Sequence, residues 1–146
     1  MQDAAFGVVV GDLIEISKTL TDADLAAFAE LSGDFDPIHM DETYARTTVF
    51  GRRVAHGLLT MALLSGTASR MSERARQRGF RGTALSLGYD RVRFVHPVFV
   101  GDRLTARYAI EALQPERRRT VGRVEVVNQD ARPCVVGRHL MSWRDA

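Results

Sequence analysis

The segment from Gly57 to about Ala75, GLLTMALLSGTASRMSERA, constrains the fold more than any other part of this chain. Its first half is apolar nearly all round, so a helix formed there needs burial on most of its sides. Its second half turns polar and basic, so the same helix emerges into water. The residues after it supply a partner. Past Gly82 the pattern changes from helical to alternating, with Leu85, Leu87 and Tyr89 on one face. The parity then flips to Val92 and Phe94, which predicts a bulge near Gly88. Leu104, Ala106, Tyr108 and Ile110 alternate over 102–112. Two further strands are predicted over 120–127 and 134–143, with 128–132 as the turn between them. No crossover helix separates these strands, so they should pair antiparallel as a meander. One antiparallel sheet curled around a central helix satisfies this order. Part of its edge stays open, which predicts a homodimer or a higher homo-oligomer.

Upstream of the helix, residues 11–17 read as a short strand. Thr21 and Asp24 form a capping box for a helix over 22–32, and Gly33 can take the left-handed conformation that ends it. Asp36 precedes Pro37 and is biased toward extended backbone, so Ser32 to Asp41 (SGDFDPIHMD) should be a tight, non-helical loop. Asp41 then caps a short helix through Tyr44 and Arg46. With 146 residues and no linker or low-complexity segment, the chain reads as a single domain over 1–146. The motif VGD occurs twice, at 10–12 and 100–102, each time before a strand, as reuse of one turn.

Charge and cysteine narrow the class. The 20 basic and 18 acidic residues leave a net charge of +2, too mild a balance to imply nucleic acid. Cys134 is the only cysteine, so no internal disulfide forms, and a free thiol points to a cytoplasmic location. The longest apolar run, Leu58 to Leu64, is far shorter than the roughly 20 residues needed to span a bilayer. Histidines 39, 56, 96 and 139 show no close metal-ligand spacing, and dinucleotide, P-loop and nucleophile-elbow motifs are missing from the sequence.

The chemistry concentrates in two places. Asp34 and His39 lie five residues apart across Pro37, and on a kinked loop they can converge on one point. A carboxylate and an imidazole sharing a water can take a proton from it and return one elsewhere. Taken alone, the same residues are also explained as a backbone cap and a structural hydrogen bond. The second place is His56-Gly57 at the start of the long helix. Helix N-termini carry unpaired amides, and glycine there lets another group approach the backbone. Taken alone, Gly57 is also explained as relief of crowding.

Together, residues 31–66 (LSGDFDPIHMDETYARTTVFGRRVAHGLLTMALLSG) resemble the signature of the MaoC-like (R)-specific enoyl-CoA hydratases. That family shows S-G-D-x-N-P-x-H, a short helix, and then H-G at the start of the central helix. Ser32, Gly33, Asp34, Pro37, His39, His56 and Gly57 match it, while Asp36 stands where the family has asparagine. Residues 87–104 (LGYDRVRFVHPVFVGDRL) resemble the family's strand ending in a P-V-x-x-G-D turn. The resemblance runs from about Gly11 to Trp143. It implies an α+β hot-dog fold, with an antiparallel sheet wrapped around a long central helix. It also implies reversible hydration of a trans-2-enoyl thioester to the (R)-3-hydroxyacyl thioester. Asp34 and His39 would activate the water, and the Gly57 amide would bind the thioester oxygen. Asp36, Pro37 and His56 would stand beside the substrate, and Leu58, Met61 and Leu85 could line an acyl tunnel. No metal or redox cofactor is implied, because coenzyme A or an acyl carrier enters as part of the substrate. Arg117, Arg118 and Arg119, or Arg70, Arg74, Arg76 and Arg78, could meet carrier phosphates. A hot-dog thioesterase and a non-catalytic acyl-thioester-binding subunit are the alternatives.

Overall fold

The computed structural model describes residues 4–146. A small hairpin comes first (β1, Ala4–Ala5; β2, Val8–Val9), then β3 (Leu13–Thr19) and three short helices, α1 (Asp22–Ser32), α2 (Pro37–Met40) and α3 (Glu42–Arg46). The long helix α4 (Gly57–Gln77) leads into β4 (Gly82–Phe94), β5 (Arg103–Gln114), a 3-10 turn at Pro115–Arg117, β6 (Arg119–Val127) and β7 (Pro133–Asp145). The five long strands form one antiparallel sheet in the order β3-β5-β6-β7-β4. Helix α4 packs across its inner face and touches all five strands, which is the hot-dog arrangement.

The local signals account for the helices. Thr21 Oγ1 accepts from the Asp24 amide at 3.2 Å, and Asp24 Oδ2 accepts from the Thr21 amide at 2.9 Å, so the capping box of α1 closes both ways. Gly33 ends that helix with φ 76°. The two VGD segments form the same turn. Asp12 Oδ2 accepts from the Val9 amide and Asp102 Oδ2 from the Phe99 amide, each at 2.9 Å, with Gly11 and Gly101 at φ 91° and 93°.

The sheet departs from a simple four-strand meander. Only β5, β6 and β7 follow one another, whereas β4 crosses to the far side and pairs with β7. The bulge near Gly88 is present as a register shift between Ser86 and Gly88, with a second between Asp90 and Arg93. Helix α4 also differs from the expectation of burial on most sides. Its buried stripe is one-sided, running through Thr60, Leu64, Thr67, Ala68, Met71 and Ala75, while Leu58 is 59% exposed. The sheet of a single chain covers one face of the helix and leaves the other open.

Inside, Leu104, Ala106, Tyr108 and Ile110 of β5 join Val124 and Val126 of β6 and Met141 and Trp143 of β7 against Leu64, Met71 and Ala75. A polar chain runs through this core. The Tyr108 hydroxyl lies 2.8 Å from His139 Nδ1, Ser86 Oγ lies 2.7 Å from His139 Nε2, and Trp143 Nε1 donates to Thr120 Oγ1 at 3.0 Å. Both His139 nitrogens are thus engaged in a fully buried ring. Gly122 on β6 gives the Tyr108 ring its space, because a Cβ there would lie 2.3 and 2.4 Å from two of its ring carbons.

Burial lowers the His139 pKa from 6.5 to about 4. The neutral form is therefore the folded form, whereas an unfolded chain takes up a proton once the pH drops below 6.5. Stability is fully present above pH 6.5 and falls toward pH 4 by up to about 1.4 kcal/mol per pH unit from this residue. Denaturant melts across that window should show the slope, and His139→Gln should remove that component.

Candidate active site

The loop after α1 is built by short side chains that bond to nearby backbone. The Asp34 amide donates to Ser32 Oγ at 3.1 Å, the Asp36 amide to Asp34 Oδ1 at 3.3 Å, and the Ile38 amide to Asp36 Oδ1 at 3.0 Å. The stretch is not wholly non-helical, as its sequence implied. Asp36 is an N-cap and Pro37 occupies the first turn of α2, where a missing N–H costs nothing. That role explains the aspartate at position 36. The cap asks only for an acceptor oxygen, and an asparagine carbonyl or an aspartate carboxylate supplies one equally.

The α2 turn carries His39 back toward Asp34. A strap preceding α4 locks it there: the Val54 amide donates to the Ile38 carbonyl at 3.1 Å and the Ala55 amide to the Val98 carbonyl at 2.8 Å. His39 Nδ1 lies 2.6 Å from the Val54 carbonyl, so Nδ1 carries a proton and the neutral ring has its lone pair on Nε2. That lone pair faces Asp34 Oδ2 at 3.9 Å. The separation is too long for a direct hydrogen bond, and a water set to one side of the pair can bond to both groups. The Asp34 side chain is 48% exposed and the His39 side chain 16%.

His56 braces this pair. Its Nε2 donates to the Asp34 carbonyl at 3.0 Å, and its ring stacks on His39 at 4.0 Å and leans on Phe28 at 4.8 Å. His56 Nδ1 is buried and finds no partner among the described residues. Asp34, His39 and His56 present candidate ligand atoms within 4.8 Å of one another. The two imidazoles are face to face with a 30° tilt, however, so their nitrogen lone pairs run side by side and do not converge on one ion.

A cavity of about 400 Å³ opens beside His39, where β4 leaves the sheet and α4 begins. Its walls are mainly apolar, with Ile38, Val54, Phe94, Pro97, Cys134 and Val135, and its polar points include His39 and Gly57. Gly57 is the first residue of α4, and its amide precedes the first intrahelical bond, which Thr60 makes to His56. Asp34 stands at the rim and not in the wall. Of the other residues picked out from sequence, Asp36 and Pro37 are exposed and belong to the cap. Leu58, Met61 and Leu85 do not line the cavity: Leu58 points outward from α4, Met61 is half-buried against the core, and Leu85 lies on the exposed edge strand. Sequence reasoning missed the wall given by Phe94, Val95, Pro97, Cys134 and Val135. These come from the ends of two strands that meet only in the folded sheet. The one available signal is the F-V-H-P-V run, whose apolar residues double as strand end and turn. Burial raises the Cys134 pKa, so this wall thiol stays protonated at neutral pH.

Members of both basic clusters are tied into the scaffold. Arg78 Nη1 donates to Asp12 Oδ2 at 2.6 Å, Arg76 to Ser72 Oγ at 2.7 Å, and Arg118 to Asp145 Oδ1 at 2.6 Å. Arg74 and Arg78 also sit at the far end of α4, about 25 Å or more from Gly57 at 1.5 Å per residue.

A family model described as the MaoC like domain matches residues 11–131. The chain belongs to the MaoC-like family. This MaoC-like chain is 37% identical over 116 residues to the (R)-specific enoyl-CoA hydratase of Aeromonas caviae, covering 78% of the chain and 79% of that relative. It is 32% identical over 108 residues to the (R)-specific enoyl-CoA hydratase of Rhodospirillum rubrum, covering 74% and 69%. Among solved structures, the (R)-hydratase from A. caviae involved in PHA biosynthesis superposes with a TM-score of 0.81 at 32% identity, covering 94% of the MaoC-like chain and 98% of that structure. Among the described residues, no helix is long and apolar enough to cross a membrane.

Proposed function

We propose that this MaoC-like protein is a hydro-lyase that adds water to trans-2-enoyl-CoA, giving the (R)-3-hydroxyacyl-CoA, and that runs in reverse as a dehydratase. The observation that carries the reading is the 3.9 Å gap between His39 Nε2 and Asp34 Oδ2 at the rim of an apolar cavity that also contains Gly57. A water bridging the pair gives a proton to one of the two groups as its oxygen bonds to C3. The pair then returns a proton to C2. The C2–C3 π electrons move toward the thioester, whose oxygen gains charge as an enolate, and the Gly57 amide donates to it. One such donor is worth about 2.7–4 kcal/mol in measured cases. The carbonyl polarises the double bond itself, so the reaction asks for no resident cofactor, and coenzyme A or an acyl carrier leaves with the product.

The test is direct. Adding the protein to a crotonyl thioester should remove the conjugated absorbance and yield the 3-hydroxybutyryl thioester in the R form. Release of free thiol with no hydroxyacyl product would overturn the reading in favour of hydrolysis. Binding without turnover would overturn it in favour of a non-catalytic subunit.

The assembly follows from the two edges of the sheet. Edge strand β3 carries Glu15 and Lys18, charges that discourage strand addition. Edge strand β4 confines its charges to Asp90, Arg91 and Arg93 in its second half, and its first half exposes Leu85 and Leu87 at 51% and 49% beside an unpaired backbone. The protein pairs through β4 as a homodimer. Light scattering after size exclusion should give twice the chain mass, and Leu85→Lys/Leu87→Lys should halve it; a wild-type monomer would refute this pairing.

A further inference from the structure

Phe94 ends β4 and lays its ring on Gly57. A Cβ built on Gly57 would lie 2.7–2.9 Å from three carbons of that ring, so the ring occupies the space that a side chain at position 57 would need. Despite this contact Phe94 is 54% exposed, and it lines the same cavity as His39 and Gly57. A large, half-uncovered aromatic therefore stands against the first amide of α4. The hydratase reading places the thioester carbonyl at that amide and C3 at the Asp34–His39 gap. C2 then lies between them, alongside the Phe94 ring.

We infer that Phe94 is a specificity-determining residue that reads substitution at C2 of the enoyl thioester, excluding a branch there while offering an apolar surface to an unbranched acyl group. The inference rests on the hydratase reading. An unbranched C2 carries one hydrogen in the plane of the double bond, and the ring stands beyond that hydrogen. A methyl group at C2 projects from the same atom and competes with the ring for space. The ring is held on one side by the Gly57 backbone, and the following Val95 amide is tied to the Cys134 carbonyl at 2.8 Å, so the strand end cannot simply retreat. One methylene in an apolar pocket is worth roughly 10–200-fold in selectivity.

The experiment compares kcat/KM for crotonyl-CoA and 2-methylcrotonyl-CoA in the wild type, Phe94→Leu and Phe94→Ala. Intrinsic reactivity differs between the two substrates, but it cancels when their ratio is compared across variants. The ratio should shift toward the branched substrate by about tenfold or more in Phe94→Ala, with Phe94→Leu between the two. Thermal melts and light scattering check that both variants fold and keep their assembly. An unchanged ratio in folded Phe94→Ala and Phe94→Leu overturns the assignment of Phe94 while leaving the hydratase reading intact. Failure of the wild type to hydrate crotonyl-CoA overturns both.

Discussion

Replacing Asp34 with asparagine, or His39 with alanine, is expected to lower turnover of an enoyl thioester by about a hundred- to ten-thousandfold, the range for loss of a positioned acid–base group. The asparagine variant is the cleaner test. Asp34 is about half exposed, and its Oδ1 accepts from the Asp36 amide, a bond that an amide oxygen keeps. The loop should therefore hold its shape while the basic carboxylate is lost. His39→Ala also removes the bond to the Val54 carbonyl and the stack on His56, so a melt must accompany its kinetics. The double variant should lose little more than the worse single one, because two groups that share one water act as a unit. Full activity in either folded variant would refute the pairing of these groups.

The second large effect concerns stability. Gly122→Ala should cost about 3 kcal/mol, the upper end for overpacking a core, and lower the melting temperature by roughly 10 °C. The added Cβ would lie 2.3–2.7 Å from two Tyr108 ring carbons and its hydroxyl oxygen. That ring has no easy retreat, since its hydroxyl is bonded to His139 and its face is buried. Burial also raises the Tyr108 pKa, so no charge on this phenol is available to draw it toward water. Adding Tyr108→Leu to Gly122→Ala should recover part of the loss, a coupling that only a direct clash produces. A melting temperature within a degree or two of wild type would show that the ring moves aside freely.

Legibility in the sequence followed locality. The capping box at Thr21 and Asp24, the αL glycine at 33 and the bulge near Gly88 depend on neighbours in the chain, and the structure has them where the pattern placed them. The helical turn at Pro37 is signalled by proline at a first-turn position, a signal that competes with the extended bias of the residue before it. The position of β4 was not legible. Its alternation marks a strand without naming a neighbour, and the crossing from Phe94 to Arg103 is settled only by packing. For the same reason Asp34, His39, His56 and Gly57 were visible as a cluster, since they lie within 24 residues of sequence, whereas the cavity wall was not. Phe94 and Cys134 are 40 positions apart and become neighbours of one cavity only through the β4–β7 pairing. The short hairpin at Ala4–Val9, where Phe6 stacks on Trp143 at 5.7 Å, has no local signature because its contact is with the other end of the chain.

The strand order β3-β5-β6-β7-β4 has a consequence for synthesis. Emergence from the ribosome is vectorial, and β7, made after every other strand, is an interior member of the sheet. Until it appears, β4 has been waiting in solution without its neighbour, and the pocket lacks the side that Cys134 and Val135 provide. A nascent chain halted before residue 133 would hold a helix, a three-strand remnant and one stranded ribbon, a natural client for a chaperone. The wall of the pocket is completed by the strand of this sheet that is made after the other four.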